Sequence, residues 1–225
     1  MAVIACYDEP VALIGGGRVT SEDVAWARKY AKRLIAADGG ADQALGLGWV
    51  PDAVIGDFDS VSDVAREKVG PNRLFPISEQ DSTDFDKCLR NVAAPMILGL
   101  GFTGRRLDHT LAAFSTLCAR ANVLCLLLSE EEVIFLCPPE LALDMPEGTA
   151  FSLYPMGPVQ GRSTGLVWPI DGIPMQPDGR VGTSNRVDQA GRVSLTMEGP
   201  RMLVILPRGC ADAAVAALNQ STRWP

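Results

Sequence analysis

The first 137 residues of the chain repeat one pattern: a short apolar run, a polar loop that contains glycine, and then a stretch of helix-forming residues. The clearest apolar runs are residues 11–14, 33–37 and 53–55. Each is followed within a few residues by a glycine-containing loop, at 15–17, 38–40 and 56–60. Alternating strands and helices with short loops predict an α/β unit built on a mostly parallel, doubly wound sheet.

Further elements continue this alternation. Strands are predicted at 73–76, 95–99 and 123–128. Helices are predicted at 21–33, at 83–93 and at 107–121. Two more helices are predicted, one that follows Asp38-Gly39-Gly40 and runs through Leu47, and one that begins after Ser62. The last helix carries apolar residues at helical spacing, at positions 107, 111, 114, 117 and 118. In a parallel sheet, ligands bind beyond the carboxyl ends of the strands. The polar loops at 38–40, 56–60 and 101–104 are therefore predicted to share one edge of the sheet.

The second part of the chain has a different rhythm. Eleven of the 16 prolines lie at or after residue 138, and glycines separate short runs of strand-forming residues. Residues 192–197 alternate with period two and are followed by Gly199-Pro200 and the apolar run 201–206, which predicts a hairpin. We therefore predict two domains, an α/β domain at 1–137 and a smaller antiparallel β sandwich or barrel at 138–225.

Composition excludes several classes of protein. A net charge of −7 and a pI near 4.8 argue against a nucleic-acid binder, which normally presents a basic face. No apolar run approaches the roughly 18 residues of a membrane-spanning helix, so no membrane contact is expected. Six cysteines occur without a C-x-x-C pair, and no secretory signal is recognisable. The prediction is a cytoplasmic protein with reduced thiols.

Acidic residues concentrate in two loops. Asp57 and Asp59 are two residues apart, and Asp84 lies in the block 81–86, which holds further carboxylates. Carboxylates gathered in one place repel each other unless a cation neutralises them, and Mg²⁺ favours a few carboxylates together with water and phosphate oxygens. We predict a magnesium site in which Phe58 points to the core and both neighbouring aspartates face the ligand. The alternative is that these residues are turn formers and helix caps.

A second polar cluster spans residues 101–109. Gly101 and Gly104 expose backbone N–H groups at the end of a strand, where a phosphate can accept hydrogen bonds. Arg106 can neutralise charge on a transferring group, and Asp108 suits the first turn of a helix. His109 fits a chemical role or a plain helical one. Neither the dinucleotide-binding glycine fingerprint nor a P-loop occurs in the sequence.

In this order, the blocks at 37–41, 56–60, 81–87 and 101–109 resemble those of the thiamine pyrophosphokinase family, and the second part adds 165–169 and 183–185. The resemblance implies transfer of pyrophosphate from ATP to thiamine, which gives thiamine diphosphate and AMP. It also implies that the α/β domain binds ATP and Mg²⁺ and that the β domain helps to bind thiamine. The resemblance further implies a homodimer with the active site at the subunit interface.

Carried onto this chain, the resemblance predicts three groups of site residues. The metal ligands would be Asp57, Asp59, Asp84 and Asp38, and Arg106 and Asp108 would complete the catalytic set. The nucleotide contacts would come from Gly39, Asp81, Thr83, Lys87, Gly101, Thr103, Gly104 and His109. The thiamine pocket would contain Trp168, Ser184 and Asn185. Two positions depart from the family pattern: Arg105 stands where a second glycine is usual, and Arg186 where an acidic residue is common.

Two other functions remain open from the sequence. A diphosphokinase for another hydroxyalkyl heterocycle, such as a 6-hydroxymethylpterin, would share the metal loops and differ in the β domain. A module that binds a nucleotide without turning it over would need fewer carboxylates around the phosphates. The proton acceptor for the substrate hydroxyl is also open between Asp84 and Asp108.

Overall fold

The computed structural model describes residues 3–225, which pack into two compact units. The first comprises the chain up to Thr116 together with Leu127–Ser129, and the second comprises Leu117–Leu126 and Glu130–Pro225. The chain therefore passes between the units more than once. The predicted division into an ATP-binding domain at 1–137 and a thiamine-binding domain at 138–225 stays a prediction. Within residues 3–225, no helix is long and apolar enough to cross a membrane.

Strands of the first unit form a parallel sheet in the order β7-β2-β3-β4-β5. A separate parallel pair is formed by β1 and β6, and β8 contributes residues to both units. The strand bounds are β1 Ala5–Cys6, β2 Val11–Ile14, β3 Arg33–Ala37, β4 Ala53–Gly56, β5 Leu74–Pro76, β6 Val92–Ala93, β7 Ile97–Leu100 and β8 Cys125–Leu128. Strands β2, β4 and β7 are buried at every residue, as expected for parallel strands covered on both faces. The predicted α/β class is confirmed.

The helices of this part of the chain are shorter than the sequence pattern predicts. They are α1 Ser21–Ala27, α2 Gly40–Gly46, α3 Asp63–Val69, α4 Asp84–Asn91 and α5 Leu107–Ala119, with a 3₁₀ turn at Pro71–Arg73. Helix α1 begins at a capping box, in which the Thr20 hydroxyl accepts from the Asp23 N–H and the Asp23 carboxylate accepts from the Thr20 N–H. Helix α4 ends at Asn91 because Val92 adopts extended backbone and pairs with Ala5.

The second unit is antiparallel. Its strands are β9 Glu132–Leu136, β10 Glu140–Met145, β11 Ser152–Pro155, β12 Gly161–Thr164, β13 Gly191–Met197 and β14 Met202–Pro207, followed by a 3₁₀ turn at Arg208–Cys210 and by helix α6 Ala211–Asn219. They form two groups, ordered β11-β14-β9 and β10-β13-β12. The prediction of a smaller antiparallel β unit is confirmed.

The predicted hairpin of residues 192–206 is wrong in its pairing. Both strands exist, but β13 pairs with β10 and β12, whereas β14 pairs with β9 and β11. Val193 lies opposite Leu143, and Val204 lies opposite both Phe135 and Leu153. The turn at Gly199 therefore connects two different groups of strands. A local turn signal cannot specify this, because each strand finds apolar neighbours from distant parts of the chain on both of its edges.

Candidate active site

The loops at the carboxyl ends of β2, β3, β4 and β7 surround a cavity of about 510 Å³ in the first unit. This is the edge at which a parallel sheet places its ligands. Most of the predicted nucleotide and metal residues line this cavity: Asp38, Gly39, Asp57, Asp59, Thr83, Asp84, Lys87, Gly101, Thr103, Gly104, Arg106 and His109. Asp81 and Asp108 are not among the lining residues. Arg105, the departure from the family pattern, does line it.

Three carboxylates form the acidic centre of the cavity. One oxygen from each of Asp38, Asp57 and Asp59 lies within 4.8 Å of the others. Asp38 is buried, Asp57 is half-buried and Asp59 is exposed, so the group extends from the sheet edge to solvent. Gly56 allows this approach, because a Cβ there would lie 2.8 Å from the Asp38 Cβ. The chain thus brings β4 against the loop after β3 by omitting a side chain.

Asp38 is the most constrained of the three. Its backbone has φ +44°, a left-handed conformation that non-glycine residues rarely adopt. Burial raises the pKa of this carboxyl, and the negative charges of Asp84 and Asp59 raise it further. Its Oδ2 accepts from the Ser60 N–H at 3.2 Å, whereas the buried Oδ1 has no hydrogen-bond partner among the residues that the structure describes. An ionised, unpartnered oxygen in this position is costly unless a cation meets it.

Lys87 is the internal counterion of the site. Its side chain is 2% exposed, and its Nζ lies 2.9 Å from Asp84 Oδ1 and 3.6 Å from Asp57 Oδ2. Burial opposes the charge on Lys87, but the two carboxylates outweigh burial and raise its pKa. Helix α4 fixes this placement, because the Thr83 hydroxyl caps its first turn by accepting from the Asp86 N–H at 3.2 Å. Asp84 is thus linked to the acidic centre through Lys87, outside the group of three.

Two residues that the sequence did not single out organise the loop before α4. Gln80 Nε2 donates to Asp57 Oδ2 at 2.9 Å and is the main reason that the Asp57 pKa is lowered. Arg90 lies 2.6 Å from Glu79 and 2.9 Å from Asp86, and it donates to the Ser82 hydroxyl at 3.0 Å. Arg90 therefore ties the turn that carries Gln80 to helix α4. Neither residue type is unusual in its place, so the sequence carries no signal for these roles.

Phe58 does not point to the core as predicted. It is half-buried, has φ +66°, and lies under the Arg66 guanidinium, whose Cζ is 5.7 Å from the ring centroid. Arg66 also donates to the Phe58 carbonyl at 2.6 Å. The strained turn between Asp57 and Asp59 is therefore held from outside by helix α3 rather than by a buried ring.

Glycine loops form the wall opposite the carboxylates. The Gly17 N–H donates to the Gly101 carbonyl at 2.9 Å, and a Cβ at Gly17 would lie 2.5 Å from that oxygen. Gln43 Nε2 holds the first loop by donating to the carbonyls of Gly15, at 3.3 Å, and Gly17. Residues 15–17 match no nucleotide fingerprint, yet they line the cavity. Their role is visible only once β2 and β7 are adjacent.

At the mouth of the cavity, α5 begins with an exposed ion pair. Arg106 donates to Asp108 at 2.6 Å, and this hydrogen bond is the main cause of the lowered pKa of Asp108. Arg106 and His109 both line the cavity from exposed positions. Leu107 and Leu111, which share the predicted helical spacing, are 72% and 52% exposed rather than buried.

The predicted thiamine residues lie in the second unit. Trp168 is 51% exposed and lines a cavity of about 90 Å³ together with Asn185. Asn185 is buried and uses its amide internally: Oδ1 accepts from the Trp168 N–H at 3.2 Å, and Nδ2 donates to the Trp168 carbonyl at 2.7 Å. Ser184 is exposed, with φ +62°. The structure thus gives Asn185 the task of holding Trp168, and the contacts of these residues with thiamine stay a prediction.

Two family descriptions match this chain in sequence order. Residues 26–127 match the thiamin pyrophosphokinase catalytic domain, and residues 136–201 match the thiamin pyrophosphokinase vitamin B1 binding domain. The first match covers the carboxylate loops and α4, and the second covers Trp168 and Asn185.

Curated relatives carry the same name. Thiamine pyrophosphokinase 1 of Oryza sativa subsp. japonica is 30% identical, over 73% of this chain and 74% of the relative. Thiamine pyrophosphokinase 1 of Arabidopsis thaliana is 27% identical, over 72% of this chain and 73% of the relative.

Solved structures share the fold. Thiamin pyrophosphokinase from Candida albicans superposes with a TM-score of 0.74 at 18% identity and covers 89% of both chains. Thiamine pyrophosphokinase from Bacillus subtilis gives a TM-score of 0.71 at 21% identity, over 88% of this chain and 98% of the other. At identities this low, the superpositions show only that the fold is shared.

Proposed function

The chain belongs to the thiamin pyrophosphokinase family, and from this premise we propose that it transfers a pyrophosphoryl group from ATP to the hydroxyl of thiamine, giving thiamine diphosphate and AMP. The resemblance drawn from the sequence blocks is thereby confirmed. The protein is accordingly an enzyme, a pyrophosphotransferase. The match to a vitamin B1 binding domain favours thiamine over a pterin as the acceptor.

One observation carries the proposal at the level of the site: the carboxylate group of Asp38, Asp57 and Asp59 faces a cavity whose other wall is made of glycine loops. Both features suit a polyphosphate. The carboxylates can hold the cations that neutralise its charge, and the glycine loops can offer backbone N–H groups to its oxygens. A cavity of about 510 Å³ lies within the size range of small-molecule sites. A passive nucleotide-binding module would not need this many carboxylates beside the phosphates.

Magnesium fits this donor set. Hard carboxylate oxygens are its preferred protein ligands, and the buried Oδ1 of Asp38 has no partner among residues 3–225. We propose that Asp38, Asp57 and Asp59 hold the metal, with Asp84 close by and paired to Lys87. When bound, Mg²⁺ would neutralise phosphate charge and leave waters and phosphate oxygens to complete its coordination.

The remaining work falls to the chain's own residues. Lys87 and Gln80 keep Asp57 oriented, and the cap at Thr83 fixes where helix α4 presents Asp84. We propose that N–H groups around Gly101 and Gly104 position the phosphates, and that Arg106 neutralises charge at the cavity mouth. Catalysis of this kind is positioning and electrostatic stabilisation, with little covalent chemistry for the protein to perform.

The proton of the thiamine hydroxyl needs an acceptor. Asp108 is the weaker of the two candidates, because it is exposed, lies outside the cavity lining and forms an ion pair with Arg106. Asp84 lines the cavity and Asp108 does not. We therefore propose Asp84 for this role.

Two broader proposals complete the picture. We propose a homodimer, supported by Leu107 and Leu111, which are exposed one helical turn apart on α5 beside cavity residues. We also propose a cytoplasmic location. All six cysteines lie within residues 3–225 and none forms a disulfide, which suits a reducing compartment.

The test is to incubate the purified protein with MgATP and thiamine and to measure AMP and thiamine diphosphate together. Equal molar formation of both products supports the proposal. AMP formation with a 6-hydroxymethylpterin and none with thiamine would reassign the acceptor. Absence of magnesium-dependent AMP release with either acceptor would reduce the protein to a nucleotide-binding module.

A further inference from the structure

The guanidinium of Arg186 lies over the one strongly exposed aromatic ring of the vitamin B1 binding region. Its Cζ lies 5.3 Å from the centroid of the Trp168 ring, which is within cation–π distance. Within residues 136–201 the other aromatic residues are Phe151, which is buried, and Tyr154, which is half-buried. Trp168 is therefore the aromatic surface that this region offers to a ligand, and a cation of the protein already lies over it.

The pairing is built into the backbone. Asn185, the residue before Arg186, accepts hydrogen bonds from the N–H groups of both Trp168 and Arg186, at 3.2 and 2.9 Å. The Val167 N–H donates to the Arg186 carbonyl at 3.0 Å. These bonds bring the two segments together without using the Arg186 side chain. We therefore expect a substitution that shortens or neutralises this side chain to leave the backbone at Trp168 in place.

The thiazolium ring of thiamine carries a permanent positive charge. A cation binds to an aromatic face because the face carries the negative part of the ring quadrupole, and two cations compete for it and repel each other. A thiazolium that approaches this face of Trp168 must displace the guanidinium and then remain close to it.

We propose that Arg186 is a specificity-determining residue that weakens the binding of cationic heterocycles by competing for the face of Trp168. This inference rests on the proposed function. We therefore expect wild type to bind thiamine more weakly than a variant without a cation at position 186. The difference in affinity should depend on the charge of the acceptor rather than on its shape.

The experiment is a steady-state comparison of wild type, Arg186→Lys, Arg186→Gln and Arg186→Glu, by AMP release. We expect KM for thiamine to fall by about two- to fivefold in Arg186→Gln, the range of an exposed cation–π contact, and further in Arg186→Glu. Arg186→Lys should stay within about twofold of wild type, because it keeps the cation. KM for ATP should be unchanged throughout. A thiamine KM that is unchanged or raised in Arg186→Gln overturns the inference, as does a raised KM for ATP.

Two controls separate this inference from other causes. Arg28→Gln removes a matched guanidinium, 4.8 Å from the Trp49 ring in the first unit, and should leave both KM values unchanged. The uncharged thiazole part of thiamine, hydroxyethyl-methylthiazole, should compete with thiamine with the same inhibition constant in wild type and Arg186→Gln. A decrease that matches the decrease for thiamine would show that shape, not charge, is at work. A wild type without thiamine-dependent AMP release fails the proposed function itself, which is a different result.

Discussion

Replacing Lys87 by methionine tests the electrostatics of the site most sharply. The side chain is 2% exposed, and its two partners, Asp84 and Asp57, are 33% and 15% exposed. Breaking a buried ion pair by removing one partner costs about 3–5 kcal/mol. Because both carboxylates here keep some contact with water, we expect Lys87→Met to lower the free energy of unfolding by about 2–3 kcal/mol in EDTA.

Magnesium should restore part of that loss. Without Lys87 the carboxylates are no longer neutralised from inside, so they should bind the cation more tightly, and tighter binding to the folded state adds stability. Urea denaturation followed by circular dichroism, with EDTA and then with magnesium, measures both effects.

Lys32→Met is the matched control. Its ammonium lies 3.6 Å from Glu9, but the side chain is 82% exposed. Lys32→Met should therefore lower the free energy of unfolding by no more than about 1 kcal/mol relative to wild type, and magnesium should not change this difference. Equal losses in the two variants would refute the counterion role of Lys87. So would equal stabilisation of both variants by magnesium.

Three further predictions concern the loop before α4, the β unit and the thiols. Arg90→Met should release the turn that carries Gln80 and lower kcat for AMP release by about tenfold. Arg90→Lys should recover part of this kcat, whereas an unchanged kcat in Arg90→Met would show that other contacts hold the turn. Trp168→Ala should raise KM for thiamine by about tenfold and leave KM for ATP unchanged, whereas an unfolded variant would assign the ring a packing role. Iodoacetamide at about pH 8 should label the exposed Cys6 first. Burial raises the pKa of Cys118 to about 11, which leaves about 0.1% thiolate at that pH, so rapid native-state labelling of Cys118, detected by mass spectrometry, would contradict the packing.

Much of the first unit could be predicted from the sequence, because β2, β3, β4 and β7 are short runs, apolar except for Arg33, that lead into a glycine or an aspartate. Residues 11–14 and 33–37 were predicted at the bounds that the structure gives. Once parallel pairing is inferred, the edge rule brings the loops at 38–40, 56–60 and 101–104 together. The structure has all three around one cavity.

Pairing in the second unit was not accessible in this way. The strands at 191–197 and 202–207 are adjacent in sequence and joined by a clear turn, yet each pairs with strands elsewhere in the chain. Alternation identifies a strand, and a turn identifies its end. The choice of partner depends on which apolar faces remain to be covered, and this is a property of the whole unit.

The active site likewise contains some residues whose role the sequence predicts and others whose role it does not. The carboxylates could be predicted because clustered like charges need a cation. Gln80, Gln43 and Arg90 could not, because ordinary polar residues acquire a role only when folding brings a particular oxygen within reach. Leu107 and Leu111 show the converse, since helical spacing predicts the helix correctly but not which of its apolar residues this chain buries.

The most direct test of the central claim is magnesium-dependent AMP release by Asp57→Asn in the presence of thiamine. This substitution keeps the size of the side chain and removes one charge from the group of Asp38, Asp57 and Asp59. We predict that turnover falls by at least about 100-fold, which corresponds to about 2.7 kcal/mol of barrier, while the circular dichroism spectrum is unchanged. Asp63→Asn, an exposed aspartate in the first turn of α3, should remain at wild-type turnover. Near-normal turnover in Asp57→Asn would contradict the claim that this carboxylate group holds the metal for pyrophosphoryl transfer.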